Sequence, residues 1–507
     1  MSSYDFVVVG GGSAGSVVVS RLSEDRDVRV LLLEAGPADG PAAMSVPAAW
    51  PALIGSEVDW GYETVPQPGL GGNAIAYPQG KVLGGSSSIN AMVFLRGHRS
   101  AIDAWAAAGA QGWGYDDLLP YYRRSEHTAG LDTHYRGVDG PMRPQPAATI
   151  HPAALAFIEA VQELGYPVSA DLNGADPEGV ARYESTVAEG ARQSAADAYL
   201  RPFLDRPNLT VVTDAVARKL VISGGRCTGV QYTLGGQLRT AEAAGEVVLC
   251  AGAIGSPHLL MLSGVGPADA LRAHGLQADV DLPGVGGNLS DHPLGNVVYS
   301  AAKPMPDGDA SSSHCDALAA LRTDPALPAP DVHILFVDLP VIPPGMQGPR
   351  NGFTIRFALL NPYSRGSVRL APGDPGTAPL IDPGFLTDER DAAGMLAGLR
   401  LAREIGAAQA MAEWRKEEAL PGAAASAAAR QHDFLRRSVG TYYHAVGTCK
   451  MGTDTAAVTD RQLRVHGIDG LRVADASVMP SLPAANTNAT VLAIAERAAD
   501  LITAHDL

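Results

Sequence analysis

A run of glycines near the N-terminus is the first place where residue type and spacing could do chemistry. Gly10-Gly11-Gly12-Ser13-Ala14-Gly15 fits G-x-G-x-x-G, and Glu34 follows 19 residues after Gly15. The first glycine permits a tight turn, the second lets backbone approach a pyrophosphate, and the third lets a helix lie close to a strand. The amides that open the helix then face phosphate charge. A carboxylate ending the next strand accepts ribose hydroxyls and disfavours a 2′-phosphate. A glycine run alone reads equally well as a loop. Here strand, turn, helix, strand and acid fall in one register, which points to a dinucleotide without separating NAD from FAD. Gly10, Gly12, Ser13, Ala14, Gly15, Glu34 and Ala35 are the expected contacts.

A second candidate lies near the C-terminus. His444 stands in Tyr443-His444-Ala445-Val446-Gly447-Thr448, and Asn486-Thr487-Asn488 precedes the apolar-periodic segment 491–502. Imidazole titrates near neutrality and suits proton transfer. Taken alone, a histidine is more often a packed or surface residue, and small polar residues before a helix are more often caps.

The elements that must position these groups are legible in part. Residues 4–36 read as one β-α-β unit: the wholly apolar Phe6–Val9, a helix over 13–24, and a buried strand Val28–Leu33. The Gly/Pro-rich stretch 61–85 reads as a long ordered loop over the surface or a ligand. Helices are expected over 152–166, 388–416 and 489–504, and the Ala-rich 423–429 reads as a loop or helix end. Strands are expected at Leu209–Thr213, Val216–Val221 and Glu246–Cys250. Further strands at His333–Val337, Phe353–Leu359 and Gly366–Leu370 suggest an inserted sheet-containing domain.

The totals exclude several classes. Net charge is −16, from 54 acidic against 38 basic residues, which disfavours nucleic acid and anionic lipid. The four cysteines, Cys227, Cys250, Cys315 and Cys449, form no CxxC pair, so free thiols in a reducing compartment are expected, with no zinc site and no disulfide framework. No basic n-region precedes Phe6–Val9, and no apolar run approaches the roughly 18 residues of a membrane span, so a cytoplasmic protein is expected.

Three further segments narrow the reading. They are Gly80-Lys81-Val82-Leu83-Gly84-Gly85-Ser86-Ser87-Ser88-Ile89-Asn90 with Phe94-Leu95-Arg96-Gly97; Gly252-Ala253-Ile254-Gly255-Ser256-Pro257 with Leu262-Ser263-Gly264-Val265-Gly266; and His444–Thr448 with Val473–Ser477 and Pro483–Asn488. Together they resemble the glucose–methanol–choline oxidoreductase family, especially its bacterial choline-dehydrogenase-like and hydroxymethylfurfural-oxidase-like members, from residue 4 to about 504. The resemblance implies FAD and an α/β (α+β overall) fold. A Rossmann-like flavin domain (1–150, 205–290 and 440–507) would carry a substrate domain (151–204 and 291–439) built on a six-stranded antiparallel sheet.

The resemblance also assigns residues. It puts Val82, Gly85, Asn90 and Val93 against the flavin or its ribityl chain, Val216 against the adenine, and Asp475 and Ala476 near the pyrophosphate and ribityl chain. Thr487 and Asn488 open a helix whose N-terminus points at the flavin pyrimidine edge. His444 matches the family's catalytic base, and Asn486 its second position, which orients the alcohol and steadies the alkoxide. Tyr443 would pack on the substrate ring or on the flavin, and Trp60 would line the flavin or fill the core. Covalent members carry a histidine just before the loop asparagine; here that position is Ile89, so FAD is expected to be non-covalent. No metal is expected.

The function implied is oxidation of a primary alcohol to its aldehyde, with hydride passing to the flavin and oxygen or a quinone as electron acceptor. No glutamate occurs between Glu246 and Glu389, and aromatics are few over 295–385. That argues against choline and for a neutral aromatic, furanic or aliphatic alcohol. The alternatives are a flavin-containing hydroxynitrile lyase and a choline dehydrogenase.

Overall fold

The computed structural model describes residues 4–504 except 310 and 375. Residues 1–3 and 505–507, which belong to the expected flavin-domain segments, lie outside the described residues.

Two seven-stranded sheets organise the chain. The first runs Leu209–Val212, Val30–Leu33, Tyr4–Val9 and Gln237–Leu249, with Leu471–Val473 joined to the last. These neighbours pair in parallel. The apolar Phe6–Val9 and Val30–Leu33 are fully enclosed, as central parallel strands are. The 13-residue strand Gln237–Leu249 serves twice. Its C-terminal half pairs with Tyr4–Val9, and its N-terminal half turns away as the edge of an antiparallel meander with Val216–Ser223 and Arg226–Leu234. The expected strand at 246–250 is thus only the end of a longer one. The meander turns at Gly224-Gly225 and Gly235-Gly236, all four with positive φ, as two-residue hairpins require.

The second sheet is antiparallel: Arg415–Leu420, Pro293–Ala301, Gly352–Leu359, Val332–Val337, Ala317–Leu321 and Gly179–Arg182. The two-residue Gly440–Thr441 joins Pro293–Leu294 as a seventh strand beyond the six expected. One face packs under the helix Glu389–Ala407. Gly398 and Gly406 allow that approach, since a Cβ on Gly406 would stand 2.1 Å from the Tyr299 hydroxyl. The other face forms a separate apolar cluster including Leu294, Cys315, Leu335, Val337, Ala358 and Tyr442.

The expected helix over 388–416 stops at Ala407, and Arg415–Leu420 is an edge strand. Its Arg-Lys-Glu-Glu composition suits a sheet edge, where charge discourages further pairing. The stretch 61–85 is an irregular ordered loop with isolated bridges such as Glu63↔Ala76 and Gln67↔Asn73. The helix Ser13–Leu22 lies against the C-terminal helix Thr487–Thr503, tied by Ser13 Oγ donating to Asn488 Oδ1 (2.8 Å) and by Arg21 paired with the buried Glu496 (2.8 Å). Among the described residues no helix is long and apolar enough to cross a membrane.

Candidate active site

The glycine motif forms a cradle that tolerates no side chains. Gly10 leaves the first strand at φ +99°, and a Cβ there would stand 2.5 Å from the Cys250 carbonyl oxygen. A Cβ on Gly15 would fall 1.9 Å from the Gly10 carbonyl oxygen, so the helix reaches the strand only through glycine. Gly85 (φ +52°) closes over Gly12, where its Cβ would lie 2.7 Å from the Gly12 Cα. Glu34 is buried; its carboxylate accepts the Gly11 N–H (2.7 Å) and the Gly36 N–H (2.8 Å). Burial pushes its pKa up to about 7 against those bonds.

The cradle lines a cavity of about 650 Å³. Glu34, Ala35 and Val216 line its far end. Gly10, Gly12, Ser13 and Ala14 line the middle, with Gly85, Asn90, Asp475 and Ala476 beyond them. His444, Asn486, Thr487, Asn488, Tyr443 and Val93 line the opposite end. Two predicted contacts are not brought to it. Gly15 sits behind the turn, and Val82 is enclosed in a small cluster with Leu53, Val58 and Ile89.

Asp475 has both oxygens engaged. Oδ1 accepts from Ser477 N (2.8 Å) and Oγ (2.6 Å), and Oδ2 from Gly252 N (2.8 Å) and Ser256 Oγ (2.6 Å). It braces the start of the helix Gly252–Leu262, leaving backbone to face the cavity. The residues fit a flavin dinucleotide: an acid for ribose, glycines where phosphates pass, and a helix N-terminus at the end opposite the acid.

At that end the sequence and the geometry combine in one turn. Asn486 is the N-cap residue of Thr487–Thr503, yet its side chain makes no capping bond. Its Nδ2 stands 3.2 Å from His444 Nε2, and its Oδ1 is buried without a partner among the described residues. Tyr443, just before the histidine, sits at φ +68°, a conformation that costs a non-glycine residue on the order of 1 kcal/mol. Asp291 holds the turn there. It accepts the His444 N–H (2.9 Å) and the Thr441 hydroxyl (2.5 Å), and burial raises its pKa to about 6.

The protonation of His444 follows from a chain of two bonds. His292 Nε2 lies 3.0 Å from the Leu360 carbonyl oxygen, which can only accept, so Nε2 carries the hydrogen. Burial lowers the pKa of His292 to about 3, so it is neutral and its Nδ1 is a lone pair. That Nδ1 lies 2.8 Å from His444 Nδ1, which must therefore be the donor. Burial first, then the neighbouring His292 and His333, hold His444 well below the usual histidine range. It is neutral, and its remaining lone pair is on Nε2, which accepts from Asn486 Nδ2 (3.2 Å).

His292, Asp291 and Tyr442 were not singled out from the sequence. The Tyr442 ring packs 4.3 Å, centroid to centroid, from His444. Asp291-His292 follows the glycine pair Gly286-Gly287, but its partner is 152 residues away, so only the fold joins them. Trp60 lines the cavity, stacked on Tyr62 at 5.6 Å and 4° with the Lys81 ammonium 4.9 Å above its ring. Arg356, on the second sheet, lines it too.

Known proteins are similar to this chain over nearly its whole length. The GMC oxidoreductase family model matches residues 4–294 and again 362–495. Human mitochondrial choline dehydrogenase is 40% identical over 98% of this chain and 89% of its own. The oxygen-dependent choline dehydrogenase of Brucella anthropi is 38% identical over 98% of this chain and 95% of its own. Among solved structures, pyridoxine 4-oxidase from Mesorbium loti superposes with a TM-score of 0.94 at 39% identity, over the full length of both chains. The chain belongs to the GMC oxidoreductase family and is an FAD-dependent oxidoreductase acting on alcohols.

Proposed function

We propose that His444 is the base that takes the hydroxyl proton of a primary alcohol, with Asn486 as the donor that orients the oxygen and steadies the alkoxide. One observation carries this reading: the lone pair of a buried, neutral imidazole is on Nε2, beside the Asn486 amide and at the cavity wall. FAD, when bound, supplies the acceptor of the hydride. The burial that keeps His444 neutral makes its cation costly, and the alkoxide formed beside it is the counter-charge that offsets this cost. His292 Nδ1 accepts from His444 Nδ1–H before and after proton transfer, so the ring need not turn during the reaction. Tyr442, Tyr443 and the apolar sheet face leave room for an aromatic or aliphatic body and keep water from the alkoxide.

The substrate is a primary alcohol, and the FAD is held non-covalently, since Ile89 stands where a linking histidine would be. The two sheets support the expected division of the chain into a flavin-binding domain of 1–150, 205–290 and 440–507 and a substrate domain of 151–204 and 291–439.

The test is anaerobic mixing of the FAD-loaded protein with a panel of primary alcohols. Bleaching of the oxidised flavin band is expected. Aldehyde release from a cyanohydrin without bleaching would replace oxidation by lyase chemistry. Repeating the panel under oxygen and with a quinone identifies the reoxidant.

A further inference from the structure

The substrate end of the cavity carries one charged side chain that the reaction above does not use. Along Gly352–Leu359 the side chains alternate. Phe353, Ile355 and Phe357 enter the main core, while Arg356 and Ala358 belong to the opposite face, over the cavity. Arg356 is registered between Asn296 on one neighbouring strand and Leu335 on the other. Its Nε donates to Oδ1 of the buried Asn296 (3.0 Å), which fixes the plane of the guanidinium. Among the described residues no carboxylate pairs with it, and its two terminal nitrogens donate to no protein atom. Leu335, Val337, Cys315 and Tyr442 share the wall. Tyr442 connects Arg356 to the base: its ring packs on His444, and the guanidinium charge opposes the effect of burial on its hydroxyl.

Two acids line the cavity, Glu34 and Asp475, both at the dinucleotide end and both engaged by amides or serines. A half-buried guanidinium on an apolar floor, held by one nitrogen and offering a forked pair of donors, is built for a planar anion. We propose that Arg356 binds a carboxylate carried by the alcohol on the side away from its carbinol carbon. The substrate class is then a hydroxymethyl acid with a flat or apolar middle. This sharpens the expected primary alcohol into one that carries an anionic group. It also disfavours choline, because a trimethylammonium group here meets a like charge and no carboxylate.

The inference rests on the reading of His444 as base at the same end of the cavity. The test measures flavin reduction of the FAD-loaded enzyme by 4-(hydroxymethyl)benzoate, benzyl alcohol and choline, in the wild type, R356L, R356K and H444A. The benzoate is expected to be preferred, with choline slowest. R356L should lose about 10- to 10²-fold in kcat/KM for the benzoate, as expected for hydrogen bonds to a charged group, and change little for benzyl alcohol. R356K, which keeps the charge but not the fork, should fall between, and it replaces R356L if that variant does not fold. Equal use of benzoate and benzyl alcohol by the wild type, equal losses for both in the variant, or choline as the best substrate would overturn the proposal. Full activity of H444A would instead overturn the base. If no alcohol bleaches the flavin, titration of the flavin absorbance with inert 4-methylbenzoate decides: binding weakened in the Arg356 variant supports the site, and unchanged or absent binding overturns it.

Discussion

The two ends of the cavity are built by different means. The dinucleotide end is made of backbone: glycines that admit no Cβ, amides at a helix start, and two carboxylates already engaged by N–H groups. The reacting end is made of side chains from distant segments, Asn486, His444 and His292, backed by the Leu360 carbonyl. A backbone cradle fails as a whole when a single atom is added. A side-chain relay fails by degrees, because each member can be altered while the fold stands.

That contrast is sharpest for Gly15→Val. The first added carbon alone would fall 1.9 Å from a carbonyl oxygen, so the variant should purify without FAD or fail to fold, as flavin absorbance and thermal melting will show. His444→Ala should keep its FAD and melting temperature while alcohol-driven flavin reduction falls about 10²–10⁴-fold in stopped flow; unchanged kinetics would remove the base. His292 separates position from chemistry. His292→Leu removes the acceptor for His444 Nδ1, frees the wrong tautomer, and should cut reduction by at least about tenfold, short of the roughly 10⁴-fold that a wrong tautomer costs at worst. His292→Asn, of nearly the same size, keeps an oxygen there and should recover most of the rate. Equal rates for the two variants would reduce His292 to packing.

The smallest effect belongs to the cradle. Glu34 in the free protein has a pKa near 7. Ribose hydroxyls favour its ionised form, so binding FAD below pH 7 must displace a proton. FAD affinity should rise by up to about tenfold per pH unit until about pH 7 and then level off, measured by fluorescence titration of the apoprotein. A flat profile would mean that the acid is already charged.

The same division governed what the sequence revealed. The β-α-β unit was legible because strand, three glycines, helix and acid are all required within about thirty residues of one another. The meander was signalled by Gly224-Gly225 and Gly235-Gly236, yet only its first strand was read. In the second sheet both faces are buried, so His333–Val337 shows no alternation that would say which residues face the cavity. Asn486 had a competing local explanation as a cap, removed only when its side chain is seen turned to His444. His292 and Arg356 carry no local signal, since one acts through a ring 152 residues away and the other through its place on a sheet face.

The bond between Ser13 and Asn488 spans 475 residues, and the ion pair between Arg21 and Glu496 spans as many. The helix Ser13–Leu22 thus waits for Thr487–Thr503, which is made much later. At about 5–20 residues per second, synthesis leaves the glycine turn without its closing helix for roughly half a minute to a minute and a half. Closure of the cofactor cleft therefore waits on a helix made long after the glycine turn, and without that helix Ser13 and Arg21 lack their partners Asn488 and Glu496.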